Sequence, residues 1–177
     1  AKIVHIEGYS LVFPNLAQRT IKYAKAAGAT VSLDLASFEI IHARKTEFLD
    51  LIKSGVDICF GNEGEIKALT ELTAREGCEY LKEICPIVVA TMGKNGCWVG
   101  HKDDIIFSPS ICIENPLDTT GAGDLFISGY LHGYLKGHPL NLCAHYGALA
   151  GSAVVQVEGA RLNESQWQSL RKQMLKV

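Results

Sequence analysis

Apolar and polar positions follow two rhythms along the first ninety or so residues. Short β-branched runs at 2–6 and 30–35 flank residues 15–27, where Leu16, Ile21, Tyr23 and Ala24 fall on one helical face and Gly28 ends the run. That order predicts a βαβ unit. A helix around 45–53 closing near Gly55, a strand at 56–60, helical runs at 63–69 and 74–83, and a strand at 87–91 repeat the alternation. Crossovers of this kind call for an open, mainly parallel sheet with helices on both faces, an α/β fold. Beyond Gly96 the runs shorten to 97–99, 105–107 and 111–113, separated by turn residues, and read as antiparallel strands at the sheet edge. Three helices, 122–136, 140–157 and 163–175, close the chain, with Gly137-His138-Pro139 and Glu158-Gly159 as breakers.

Composition narrows the class without choosing a function. The 177 residues, 47% hydrophobic and 20% charged, suffice for one good core, so residues 1–177 are expected to form a single domain. A net charge of −2 offers no basic field for nucleic acid. No apolar run has the length of a membrane span and the N-terminus lacks a signal-peptide profile, which makes a cytoplasmic setting the default. Six cysteines show no CxxC pair, and several lie inside apolar runs as small core residues would.

One stretch breaks the pattern of a plain scaffold. Asp118-Thr119-Thr120-Gly121-Ala122-Gly123-Asp124 runs directly into the apolar helix that begins with Leu125. Glycines at 121 and 123 let the backbone turn and come close to a ligand, and a helix start offers unpaired N–H groups at a positive dipole end. An anion suits that place. Asp124 in the first turn would repel a phosphate, unless it takes a proton from an attacking hydroxyl. The plainer alternative makes Thr119 or Thr120 an N-cap and Asp124 its acidic companion. Other candidates fall at the carboxyl ends of the predicted parallel strands, where such sheets bind ligands: Asp34, then Asn62 and Glu65, then Thr91 and Gly93. Asn62 and Glu65 also suit a capping box, Asp34 a strand-end turn, and Thr91 with Gly93 a hairpin lead-in.

DTTGAGD resembles the signature of the PfkB, or ribokinase-like, family of sugar and nucleoside kinases, and LFISGYL resembles the helix that follows it. Asn62-Glu63-Gly64-Glu65 is similar to that family's Asn-x-x-Glu element, and Val88 to Gly96 to its strand and Thr-x-Gly turn. The resemblance implies a ribokinase-like fold and ATP-dependent phosphorylation of an alcohol on a small sugar or nucleoside. By resemblance, Asp124 is the base, Gly121, Ala122 and Gly123 with Asp124 form the anion hole, and Asn62 and Glu65 orient Mg²⁺ through water. Thr91 and Gly93 approach the nucleotide phosphates, and Asp118 and Thr120 help form a monovalent-cation (K⁺) site. Adenine would sit between the edge strands and the helix 140–157, where Ala148 stands near the place many relatives give to Asn. The segments 3–12 and 31–41 look most like the adenosine-kinase-like branch.

Members of that family are usually much longer, so the resemblance implies that an N-terminal part is missing, with the first strands, sugar contacts and lid. The chain on its own is therefore expected to be inactive, and to self-associate, as a homodimer in the simplest case, through the strand at 2–6. A nucleotide-binding or regulatory module without turnover is the alternative. A dinucleotide-binding dehydrogenase lacks its third glycine here, and a serine hydrolase lacks its GxSxG elbow.

Overall fold

The computed structural model describes residues 1–102 and 104–176. Six strands form one sheet in chain order: β1 (Ile3–Glu7), β2 (Thr30–Asp34), β3 (Ile58–Asn62), β4 (Ile87–Thr91), β5 (Cys97–His101) and β6 (Asp104–Ser108). The first four are parallel, with Glu7 opposite Asp34, Asp34 opposite Phe60 and Asn62 opposite Thr91. The last two are antiparallel edge strands, and seven α-helices complete the fold among the described residues. These are α1 (Leu16–Ala26), α2 (Phe38–Lys53), α3 (Glu63–Thr70), α4 (Ala74–Leu81), α5 (Ala122–Leu135), α6 (Leu140–Val154) and α7 (Glu164–Met174). The chain divides into two compact units, Ala1–Met92 with Trp98–Ile106, and Gly93–Cys97 with the part from Phe107 onward.

In the first unit, Leu33, Cys59 and Val88 lie in one core with Ile21 of α1, Phe48 of α2 and Ile66 of α3. The alternating residues Ser32, Phe60 and Val89 are buried as well, which is why these strands read as continuous apolar runs. Asp57 braces their amino ends: one carboxylate accepts both Lys25 Nζ at 2.6 Å and the Val31 N–H at 2.7 Å. The cysteines at 59, 78, 85, 97 and 143 are buried, and burial pushes the Cys85 and Cys97 thiols up to about 12, so these two behave as small apolar residues. Among the described residues no helix is long and apolar enough to cross a membrane.

In the second unit, α5 lies against α6 with little between them. A Cβ on Gly151 of α6 would stand 3.3 Å from the Ala122 carbonyl oxygen, so the first turn of α5 rests against the α6 backbone. Tyr146 carries the contact on to α7, its hydroxyl donating to the Met174 carbonyl at 2.8 Å.

Three elements differ from the sequence reading. The strand expected at 56–60 is shifted to Ile58–Asn62, because Gly61 and Asn62, expected to follow the strand, continue the ladder opposite Ala90 and Thr91. The helix expected around 45–53 begins at Phe38 and breaks at Arg44 (φ −137°), which divides its apolar pattern into two short pieces. The strand expected at 111–113 is absent: this run between Pro109 and Pro116 makes no ladder, and Ile111 packs onto the Tyr146 cluster of α6 and α7 instead. Side-chain burial outweighed β-propensity there.

Candidate functional site

The 118–124 segment forms a tight loop into α5. Gly121 is the N-cap residue at φ +76°, a left-handed conformation that costs other side chains about 1 kcal/mol. No side chain caps the helix, so the plainer reading, with Thr119 or Thr120 as the cap, does not hold. The Ala122 N–H bonds back to the Thr119 carbonyl at 3.2 Å, while the N–H groups of Gly123 and Asp124 have no hydrogen-bond partner among the described residues. A Cβ built on Gly123 meets nothing within 4 Å. Free amides at the positive end of a helix are groups that can accept an anion. Asp124 lies exposed in the same first turn.

Asp118 holds this loop in shape. One carboxylate oxygen accepts the Thr120 N–H at 2.9 Å and the other the Gly159 N–H at 2.9 Å. These bonds, that of Thr120 foremost, keep its carboxyl below the ordinary carboxylate value. Ala148 is half-buried on α6, one turn before Gly151, and its methyl offers no hydrogen-bonding group. Sequence reasoning missed Gly159 and its neighbour Ala160. The breaker Glu158-Gly159 marked a helix end, but nothing in the local pattern ties it to Asp118, 41 residues earlier.

In the first unit, Asn62 and Thr91 stand side by side at the carboxyl ends of β3 and β4, and Asp34 ends β2. Asn62 and Glu65 form a complete capping box on α3. Glu65 N–H donates to Asn62 Oδ1 at 2.9 Å, and the Glu65 carboxylate accepts the Asn62 N–H at 2.8 Å and Nδ2–H at 2.7 Å. Glu65 is only 7% exposed, and burial raises its pKa against the opposing pull of the Asn62 hydrogen bonds. Gly93, which belongs to the second unit, opens the turn after β4 at φ +54° with open space where a Cβ would be.

The mainly parallel six-stranded sheet with antiparallel strands at its edge and helices packed on it belongs to the ribokinase-like α/β class, as its structural neighbours do. Residues 1–167 match the pfkB family carbohydrate kinase model, and the chain belongs to that family. It is 30% identical over 151 residues to a nucleoside kinase of Methanothermobacter thermautotrophicus, covering 85% of this chain and 47% of that protein. Among solved structures it resembles a probable sugar kinase of Rhizobium etli (TM-score 0.91, 33% identity, 99% of this chain and 55% of that one). It resembles the adenosine kinase of Sinorhizobium meliloti as well (TM-score 0.90, 31% identity, 97% and 54%). The chain spans about half the length of the relatives it matches.

Proposed function

We propose that this chain carries the nucleotide-binding and proton-accepting part of an ATP-dependent phosphotransferase that acts on an alcohol of a sugar or nucleoside. The observation that carries the reading is the start of α5: the Gly123 and Asp124 amides have no hydrogen-bond partner among the described residues, and a Cβ at 123 would meet nothing within 4 Å. The amides from Gly121 to Asp124 would hold the charge spread over the transferring phosphoryl oxygens. Asp124, exposed beside them, would take the proton of the attacking hydroxyl. Thr91 and Gly93 are assigned to the nucleotide phosphates. Adenine is assigned to the α6 side, without a side-chain hydrogen bond from Ala148.

Mg²⁺ fits Asn62 and Glu65 only through water. Asn62 Oδ1 already accepts one N–H and the Glu65 oxygens accept two more, which leaves lone pairs for ordered water rather than an open ligand set. The ion would supply neutralising charge for the phosphates. A monovalent cation, K⁺, fits Asp118 and Thr120 by charge, since Asp118 bonds to two amides and has no cationic partner among the described residues. A cytoplasmic setting, where ATP and Mg²⁺ are at hand, belongs to the same reading, as does self-association to a homodimer.

A second reading is a nucleotide-binding or regulatory module without turnover, since the unpaired amides of Gly123 and Asp124 would hold a phosphate whether or not Asp124 takes a proton. One substitution separates the two. In a form of the protein that turns over, Asp124→Asn should keep affinity for a non-hydrolysable ATP analogue and lower turnover by about 10²-fold or more. Calorimetric titration and a coupled kinase assay measure the two quantities. Unchanged turnover would remove Asp124 as the base, and absent binding would remove the phosphotransferase reading itself.

A further inference from the structure

The loop that leads into α5 is hydrogen-bonded to Val155 and Gly159 of the connection between α6 and α7, and lies close against Ala160. The Leu117 N–H donates to the Val155 carbonyl at 2.7 Å. Asp118 accepts the Gly159 N–H on one oxygen and the Thr120 N–H on the other, both at 2.9 Å. The Ala160 contact is steric: a Cβ on Gly121 would stand 2.6 Å from the Ala160 Cβ and 3.3 Å from its Cα. The groups that bond Asp118, the Thr120 and Gly159 amides and the Thr120 hydroxyl, are neutral, so the carboxylate transmits position, and Ala160 limits how far the N-cap residue of α5 can move toward it.

Resting on the phosphotransferase reading above, we propose that Ala160 is a positioning residue for the Gly121–Asp124 loop, acting with the Asp118 clamp. Its methyl sets the place of Gly121, and the Gly159 amide, through Asp118, sets the place of Thr120. Free amides hold developing charge well only when they are already in position, and a displacement of about 1 Å is costly. The α6–α7 connection thereby governs the grip on the terminal phosphate without touching the ligand.

The test compares a non-hydrolysable ATP analogue with ADP, because only the terminal phosphate depends on this loop. Affinities are measured by calorimetry on the 177-residue chain and on Gly121→Ala, Ala160→Gly, their double variant and Asp118→Asn. Gly121→Ala should weaken the triphosphate analogue by about tenfold, with a smaller effect on ADP. Adding Ala160→Gly should restore part of that loss, the remainder being the left-handed conformation at 121. A double variant no better than Gly121→Ala alone overturns the proposal. Should Gly121→Ala fail to fold, Asp118→Asn decides: a lowered triphosphate-to-diphosphate affinity ratio supports the clamp, and an unchanged ratio overturns it. Failure of the unaltered chain to bind either nucleotide would remove the phosphotransferase reading and this proposal together. Binding without coupling between 121 and 160 would remove this proposal alone.

Discussion

At the scale of single residues, the two glycines of the 121–124 loop do different work. Gly121 answers to the protein, through its φ of +76° and the nearness of Ala160, whereas Gly123 has open space on the side where a Cβ would lie. Gly123→Val should therefore leave the melting temperature nearly unchanged while weakening a non-hydrolysable ATP analogue at least about tenfold, since the side chain crowds the ligand alone. Calorimetric titration beside a thermal melt checks both halves, and equal affinity of the two forms would refute the claim. Glu65 is different, because its hydrogen bonds to Asn62 and its burial bind it to the fold. Its raised folded pKa means that the folded state favours the protonated form. The stability from that preference is fully present below the ordinary value of 4.5 and is lost as pH rises through the folded value. Glu65→Gln lacks this titration and leaves an amide donor facing the Asn62 donors. The melting temperature of the original relative to the variant should then fall as pH is raised from 4 upward, followed by calorimetry across pH. In a form that turns over, the variant should also need more Mg²⁺, and an unchanged Mg²⁺ dependence would leave Glu65 with its capping bonds alone.

At the scale of elements, the α5–α6 pair places the first turn of α5. Their backbones approach where Gly129 faces the Tyr146 carbonyl, and a Cβ at 129 would also come within 3.0 Å of the Ala150 Cβ. Helix propensity alone favours Ala over Gly by about 1 kcal/mol. Overpacking against backbone costs about 1–3 kcal/mol, and here the obstacle is a carbonyl that cannot rotate away. Gly129→Ala should accordingly lower stability by roughly 1–2 kcal/mol net, read from denaturant unfolding. A stabilised variant would show that the two helices slide apart at little cost. The same comparison explains what periodicity could reveal. Both helices were legible as apolar runs, and Ile87–Thr91 carried a clear β-branched signal, but the close approach depends on which glycine meets which carbonyl. That pairing joins positions far apart in the chain.

At the scale of the whole molecule, β1 pairs with β2 alone among the described residues. The Thr30 N–H bonds to the Lys2 carbonyl, so alternation along the ladder turns the backbone groups of Ile3, His5 and Glu7 outward. Tyr9, Val12 and Phe13, just beyond, are about half exposed or more. An edge of unpaired N–H and C=O groups beside exposed aromatics favours pairing with another strand. Residues 1–177 alone should therefore associate as concentration rises, and Ile3→Pro should reduce it by removing one outward N–H. Light scattering over a concentration series measures both. In the same samples, turnover of ribose, fructose or adenosine should be negligible. A monodisperse monomer with robust turnover would contradict both expectations.

Local chemistry was enough to read the alternation of strands and helices, the glycine turn that opens α5, and Asn62 with Glu65 as a capping pair, because each depends on spacings of a few residues. Tertiary structure alone decided three matters. It extended β3 through Gly61 and Asn62 by offering Ala90 and Thr91 as ladder partners. It withheld a strand from Ile111–Ile113 by giving Ile111 a helical surface to pack on. It also tied Asp118 to Gly159 and set Gly121 against Ala160. Such contacts join residues roughly thirty to forty positions apart, and hydrophobic periodicity carries no record of which distant backbone will arrive beside a given side chain.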